Sequence, residues 1–228
     1  MKKLLLVGIL SSVLFVGCKK TTTPTPNTQT SVSDRIKTIK YVGGRVETYN
    51  YDASGRLTRV DFDDSSYTVV EYTSASLITV KEFKNNLLNW TNTITLNSQG
   101  YGVYYKYDNK KIDTNYFDSN GFSCSKNQVN IVENGNVTKR IVGTDTTYYT
   151  YDLTKLNTIG KGNMGYSFEG KENRNLVISN KYGTKSLTSR QYTYEFDAKN
   201  RVVKKTSSYY NNGVKSPNEN ITLYTYTD

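Results

Sequence analysis

The hexapeptide GKGNMG, residues 160–165, has the glycine spacing that brings a backbone close to a dinucleotide pyrophosphate. That chemistry needs a strand before it and a helix N-terminus after it. The next residues, YSFEGKENRNLVIS, alternate as strands do, so the hexapeptide reads as a loop between strands. DFDDSS brings Asp61, Asp63 and Asp64 together, and three carboxylates can bind Ca²⁺. The closing glutamate of a calcium loop is missing, so the segment reads as a hairpin turn. Cys124, in GFSCSKN, would need a base to act as a nucleophile, and the chain has no histidine. Ser-His-Asp and Cys-His arrangements are therefore impossible and ordinary zinc sites nearly so. Cys124 reads as a small strand residue. A carboxylate pair could still hydrolyse glycans, but no pair stands out from the turn and surface acids. The expectation is a non-enzyme with no metal and no cofactor.

Recognition chemistry is better represented. The chain has 21 tyrosines, and basic residues interleave with them in YYKYDNKK (104–111) and NRVVKKTSSYY (200–210). Aromatic rings beside cations stack on sugars or bases. The plainer alternative is cross-strand tyrosine packing with lysines outside. A period of two puts Tyr101, Val103, Tyr105 and Tyr107 on one face, and Leu88, Trp90, Ile94 and Leu96 on another. Trp90, Tyr101, Tyr105 and Tyr107 are the candidate binding face. The net charge of +10 favours anionic partners, or describes only a solvated basic surface.

These residues must be held by strands. In YNYDASGRLTRVDF, Tyr49 and Tyr51 share a strand face, and Asp52 to Gly55 supplies turn chemistry. YTVVEY (67–72), LITVKEF (77–83), LLNWTNTITL (87–96) and YGVYYKYD (101–108) continue the pattern, with NSQG (97–100) and FDSNGF (117–122) as turns. YYTYD (148–152), QYTYEFDAKNRVVKK (191–205) and ITLYTYTD (221–228) repeat it. Proline is absent between Pro26 and Pro217, as paired strands require. No segment holds a helical period. The expected fold is all-β: roughly 12–18 short antiparallel strands in a meander, curled into an open or closed barrel-like sheet, over residues 35–228.

The N-terminus is different. MKKLLLVGILSSVLFVGC has a basic start and an apolar run too short for a dedicated span. It ends in a motif that resembles a bacterial lipobox, with Phe15 where an aliphatic residue is usual. The resemblance implies a signal peptide over residues 1–17 and a lipid on Cys18 that anchors the chain to a membrane. KKTTTPTPNTQTSVS reads as a polar tether, so residues 18–34 form the lipidated cysteine and linker. A transmembrane barrel is not expected, because the faces opposite the tyrosines carry Thr, Asn, Lys and Glu.

The hairpin phrases resemble YD repeats. YNYDASGRLTRVDF, TITLNSQGY, YTYDLTKLN, YTYEFDAKNRVVKK and the terminal YTYT, in that order behind a lipobox, resemble a Bacteroidota-type family of envelope lipoproteins with a domain of unknown function and a porin-like, all-β fold. The resemblance spans about residues 35–228 and implies a lipid-tethered curled sheet; it supplies no catalytic residues. The expected function is a lipid-anchored cell-envelope protein, a non-enzymatic binding or structural module. Its partners would be the membrane through Cys18, and a glycan or another envelope component, with no nucleic acid. The rivals are a lipid or lipoprotein carrier with an apolar cavity and, behind it, a carboxylate-based glycan hydrolase. Outer-membrane attachment facing the periplasm is the expected location, because Lys19-Lys20-Thr21 comes after the cysteine in place of an acidic run.

Overall fold

The structure, a computed structural model, describes residues 34–108, 111–183 and 188–228. The signal, Cys18 and the tether up to residue 33 lie outside them. The chain's turns explain its strands. At Asp52, Asn97, Asp118 and Asp197 one side-chain oxygen accepts two backbone N–H groups, from the residues two and four positions on. The residue three positions on takes positive φ, as at Gly55 (72°) and Asn200 (58°). Only glycine and short amide or acid side chains accept that conformation readily. Each such turn reverses the chain and hands it to a new strand.

The strands among the described residues are β1 (Ile36–Tyr41), β2 (Val46–Tyr51), β3 (Leu57–Phe62), β4 (Ser66–Ser74), β5 (Leu77–Lys84), β6 (Leu87–Leu96), β7 (Gly102–Tyr107) and β8 (Lys111–Thr114). The second half of the chain adds β9 (Tyr116–Phe117), β10 (Ser123–Cys124), β11 (Gln128–Glu133), β12 (Asn136–Val142), β13 (Asp145–Leu156), β14 (Asn175–Tyr182), β15 (Ser189–Phe196), β16 (Val202–Asn211) and β17 (Val214–Tyr226). Fifteen of them form one antiparallel sheet in the order β11 to β17, then β1 to β8, and β9 pairs only with β10. The first and last strands meet in mid-sheet: Ile39 faces Tyr224 and Tyr41 faces Thr222. The open edges are therefore β8 and β11, in the middle of the chain. The expected all-β meander is what forms, and hydrogen bonds leave its sheet open.

One face of the sheet carries the core. Ile36, Leu57, Val60, Ile78, Ile94 and Val202 are almost fully buried there. The connection between β13 and β14 packs against the same core, through buried Phe168 and half-buried Ile159, Met164 and Tyr166. Its backbone joins β1, with the Ile36 N–H donating to the Asn163 carbonyl at 3.1 Å. Its far end reaches the β9–β10 hairpin, where the Lys171 N–H donates to the Gly121 carbonyl at 2.8 Å. This loop lies on the inner face between β1 and the β9–β10 hairpin.

The repeated Tyr-x-Tyr phrase has a structural job. In four of these phrases the second tyrosine donates its hydroxyl to a main-chain carbonyl of the preceding strand. Tyr51 bonds Ile36 (2.6 Å), Tyr151 bonds Val137 (2.8 Å), Tyr194 bonds Val177 (2.7 Å) and Tyr226 bonds Val202 (2.8 Å). Each ring fills the thin core while its hydroxyl satisfies an acceptor at the end of a neighbouring strand.

Two expectations about faces are corrected, both by β-bulges. Leu96 pairs with Gly102 but Thr95 with Tyr104, so Val103 is an extra residue and the alternation shifts. Tyr105 stays on the inner face opposite Ile94, but Tyr101 leaves that set. A second bulge between Glu82 and Phe83 puts Leu88 opposite Phe83, away from Trp90 and Ile94. A bulged residue moves everything beyond it to the other face. Pro217 lies inside β17, at a register irregularity and beyond the stretch that pairs with β1, where its missing N–H breaks no ladder.

Two substitutions test this account. Tyr194→Phe leaves the Val177 carbonyl without its hydroxyl partner and is expected to cost about 1–2 kcal/mol in denaturant unfolding, with exposed Tyr104→Phe near zero as the control. Gly165 has φ of 87°, and a Cβ there would sit 2.6 Å from the Leu57 Cβ. Gly165→Ala is expected to lower stability by about 1–3 kcal/mol, measured the same way.

Candidate functional site

The break in the sheet is open to solvent. A cleft of about 520 Å³ lies there, with Thr114 and Asn115 at the end of β8, Gln128 at the start of β11, and Cys124 of β10 in its wall. Lys126, Arg140 and Lys161 supply three cations, and none of the lining residues is an aspartate or glutamate. Lys161 is paired with Glu169. Lys126 and Arg140 have no ion-pair partner among the described residues; Arg140 lies 5.9 Å from the centre of the Tyr149 ring. Asp118 is close by but engaged, with one oxygen in its turn and the other accepting from Asn130 at 2.9 Å. A second cleft of about 330 Å³ flanks the same hairpin, beside Tyr104, Tyr116 and Phe117. Cys124 is half-buried in a strand, and burial, then the nearby Asp118 carboxylate, raises its thiol above the usual range. The thiol therefore stays protonated at neutral pH.

The glycine motif at 160–165 sits beside this cleft and already holds an anion from the chain itself. The Glu172 carboxylate accepts the N–H of Lys161 at 2.5 Å and of Gly162 at 3.3 Å. A Cβ on Gly160 would overlap a Glu172 oxygen, which explains the glycine. The motif leads into a 3-10 turn, Ser167–Glu169, and then into strand β14. Burial raises the Glu172 carboxyl above the ordinary range, against the pull of the two N–H groups. Glu172 and Glu169 are thus committed to holding the loop. The carboxylates of Asp61, Asp63 and Asp64 go to separate partners: Asp61 bonds Arg59, Asp63 accepts the Val46 N–H and Asp64 caps Ser66. No cluster of acids able to hold a metal occurs among the described residues.

The residues expected to form a binding face are only partly brought together. Trp90, Tyr105 and Tyr107 share the inner face, opposite Glu82, Ile94 and Asn92. Trp90 and Tyr105 are half-buried against the core, and Tyr107 is 37% exposed. Tyr101 stacks instead on Phe117, ring centres 5.0 Å apart, near the β9–β10 hairpin. Sequence reasoning missed Lys126, Arg140 and Lys161. Lys126 and Arg140 meet through the β11–β12 hairpin, and Lys161 joins them from the distant β13–β14 loop.

Tyrosine also dominates the inner face on the other half of the sheet. Tyr192 reaches the Asn180 side chain at 3.4 Å, and Lys205, on β16 opposite Tyr194, is depressed below its ordinary range by burial and then by Arg190.

No model of a known protein family and no curated protein matches the chain. Among solved structures, it is similar to a porin-like protein from Bacteroides uniformis ATCC 8492, at 15% identity and a TM-score of 0.58, covering 89% of this chain and 100% of the other. It is also similar to a porin-like protein from Bacteroides vulgatus ATCC 8482, at 14% identity and a TM-score of 0.54, covering 85% of this chain and 99% of the other. The all-β fold is shared with both.

The buried tyrosines set an alkaline limit. Burial first, and neighbouring charges second, push up Tyr49, Tyr166 and Tyr224, and take Tyr105 to about 12. A raised folded-state pKa means that the unfolded chain releases the proton first. Stability is then intact below about pH 10 and falls as pH rises above it, by about 1.4 kcal/mol per pH unit for each buried tyrosine that ionises only on unfolding. Exposed tyrosines such as Tyr104 should give a gradual rise in phenolate absorbance, and the buried ones a further cooperative step that coincides with unfolding above about pH 10. Absence of that step, with stability unchanged, would contradict the burial of these hydroxyls.

Proposed function

We propose that the protein is a non-enzymatic binding module of the bacterial cell envelope, tethered to the outer membrane by a lipid on Cys18 and facing the periplasm, with the break in its sheet as the contact site. The observation that carries this reading is the combination of a filled inner face and a cation-lined opening. A lipid carrier needs an apolar chamber. Here Phe168, Tyr166, Met164 and Ile159 occupy the space against the core.

The outer face favours water over lipid. Cross-strand and same-face ion pairs lie on it, Lys81–Glu71 at 2.8 Å, Arg59–Asp61 at 2.6 Å and Lys204–Glu195 at 2.7 Å, along with the Thr38–Thr225 hydroxyl pair at 2.7 Å. A lipid-facing barrel carries an apolar band in that position. The likeness in fold to porin-like proteins of Bacteroides agrees with an envelope address. The membrane attachment then falls to the lipid.

Expression in a bacterium that processes lipoproteins, with a radiolabelled fatty acid, tests the tether. The wild-type chain is expected to take up label and sediment with outer membranes. Cys18→Ser is expected to lose the label and to appear in the soluble fraction with an unchanged fold. Unlabelled wild type, or Cys18→Ser that still fractionates with detergent-extracted membranes, would overturn it. Protease digestion of intact cells reads the orientation: protection is expected, and cleavage would place the domain outside.

A further inference from the structure

The sheet contains fifteen strands, and every neighbouring pair in it is antiparallel. An odd number of alternating strands leaves the two edges, β8 and β11, running in the same direction. They cannot close the sheet on each other in the antiparallel manner of the rest. One more strand between them, antiparallel to both, would complete an even, fully alternating ring. The 520 Å³ cleft lies at this place and touches both edges, through Thr114 and Gln128.

Both edges carry peptide groups that point away from their sheet neighbours. The Asn115 N–H bonds the Val103 carbonyl, so by alternation Ile112 and Thr114 direct their peptide groups away from β7. On β11, Glu133 and Asn136 flank a two-residue turn, which turns the peptide groups of Asn130 and Val132 away from β12. The Gln128 N–H points the same way and donates to the Ser125 carbonyl at 3.0 Å, and Asp118 of the β9–β10 turn accepts from the Asn130 side chain at 2.9 Å, so the hairpin lies against the first part of that edge through one main-chain bond and one side-chain bond. No backbone partner on the outward side of Asn130 occurs among the described residues. Exposed, unpaired edges are templates for strand addition.

The charge of the site selects the occupant. Lys126, Arg140 and Lys161 line it without an acid. The chain's own net charge of +10 opposes a second copy, and the tether, with Lys19, Lys20, Pro24 and Pro26, is neither acidic nor suited to pairing along its length. We propose that the break accepts a short acidic, extended segment of a partner protein as a sixteenth strand, paired to Ile112 and Thr114 on one side and Asn130 and Val132 on the other. The proposal rests on the binding-module reading and names the partner chemistry of its site. Acids at alternate positions of the segment share one face by the period of two and meet Lys126 and Arg140, the two lining cations without an ion-pair partner among the described residues. The end of β8 meets the start of β11 at the cleft, so the segment pairs with β8 along one part of its length and with β11 along the next.

The probe is a fluorescein-labelled dodecapeptide in which glutamate alternates with valine and threonine, titrated into the purified full chain. Saturable binding is expected, weakened by about tenfold or more in the double variant Lys126→Glu, Arg140→Glu and by added salt. A peptide with proline at its centre is expected not to bind. Hydrogen exchange of the complex is expected to slow at Ile112, Thr114, Asn130 and Val132. Circular dichroism and the melting temperature of the double variant check folding, and both side chains are exposed. Absence of binding, indifference to the central proline, or protection confined to other strands would each overturn strand addition. Displacement of the peptide by polygalacturonate, bound with both edges unprotected, would assign the cations to an acidic glycan and overturn it too. Such failures, with Cys18-dependent membrane retention intact, would remove this site while leaving the envelope module in place.

Discussion

The pairing of β1 with β17 is the contact on which the rest of the structure depends. It joins segments nearly the whole chain apart, with the Thr38 and Thr225 hydroxyls 2.7 Å from each other and the Thr227 N–H donating to the Arg35 carbonyl at 2.8 Å. The entropy of closing so long a loop grows only logarithmically with length, so the cost is tolerable once a continuous ladder forms. The consequence is topological. A meander with free ends would leave its first and last strands as edges. Here those strands are central and buried, with Ile36 and Tyr226 in the core, and the edges fall at β8 and β11. The opening is thus set by mid-chain residues, and its cations come from the β10–β11 connection, β12 and the β13–β14 loop.

A chain that is 36% hydrophobic cannot cover so wide a sheet with aliphatic residues alone. Tyrosine solves two problems at once. Its ring supplies apolar area to a thin core, and its hydroxyl accounts for main-chain acceptors where bulges disturb the ladder. Tyr51 and Tyr151 each stand at a register shift, and each bonds a carbonyl of the preceding strand. The phrase Tyr-x-Tyr therefore recurs because the strand-end problem recurs. The Asp-led turns recur for the same reason, since Arg56 and Arg201 close back onto Asp52 and Asp197 through guanidinium bonds.

Strand positions and turns were legible because their signals are local. LLNWTNTITL is β6 residue for residue, and Asp52 to Gly55 turns as its side chains require. Faces were less legible. Nothing in YGVYYKY marks Val103 as a bulged residue, yet that one residue separates Tyr101 from Tyr105. Asn136 and Asn175 look like loop residues in the sequence, but they are buried and bond each other through side chain and main chain at 3.0 and 2.9 Å, pinning the irregular end of β13. The cationic cleft was invisible for a third reason. Lys126, Arg140 and Lys161 belong to a β10–β11 connection, a strand and a distant loop, and it is the pairing of β11 with β12 and the docking of the loop on the β9–β10 hairpin that bring them to one opening.

The loop at 157–174 decides what kind of molecule this sheet can be. A wide sheet with an empty inner face would have to close on solvent or on lipid. Here the loop brings its own aromatic residues to the core, Tyr166 edge-on to Phe168 at 5.8 Å and to Tyr49 at 6.5 Å. It also brings its own anion, because Glu172 sits in the glycine-rich backbone of 160–162 where an external phosphate would otherwise find N–H donors. Lys161 is drawn to Glu169 at the inner rim of the cleft, which leaves Lys126 and Arg140 as the cations without an acid partner among the described residues. The loop therefore places aromatic side chains against the inner face, while the edges β8 and β11 remain unpaired at the seam beside Lys126 and Arg140. Charge complementarity at such a seam acts on the rate and selectivity of an encounter more than on its raw affinity.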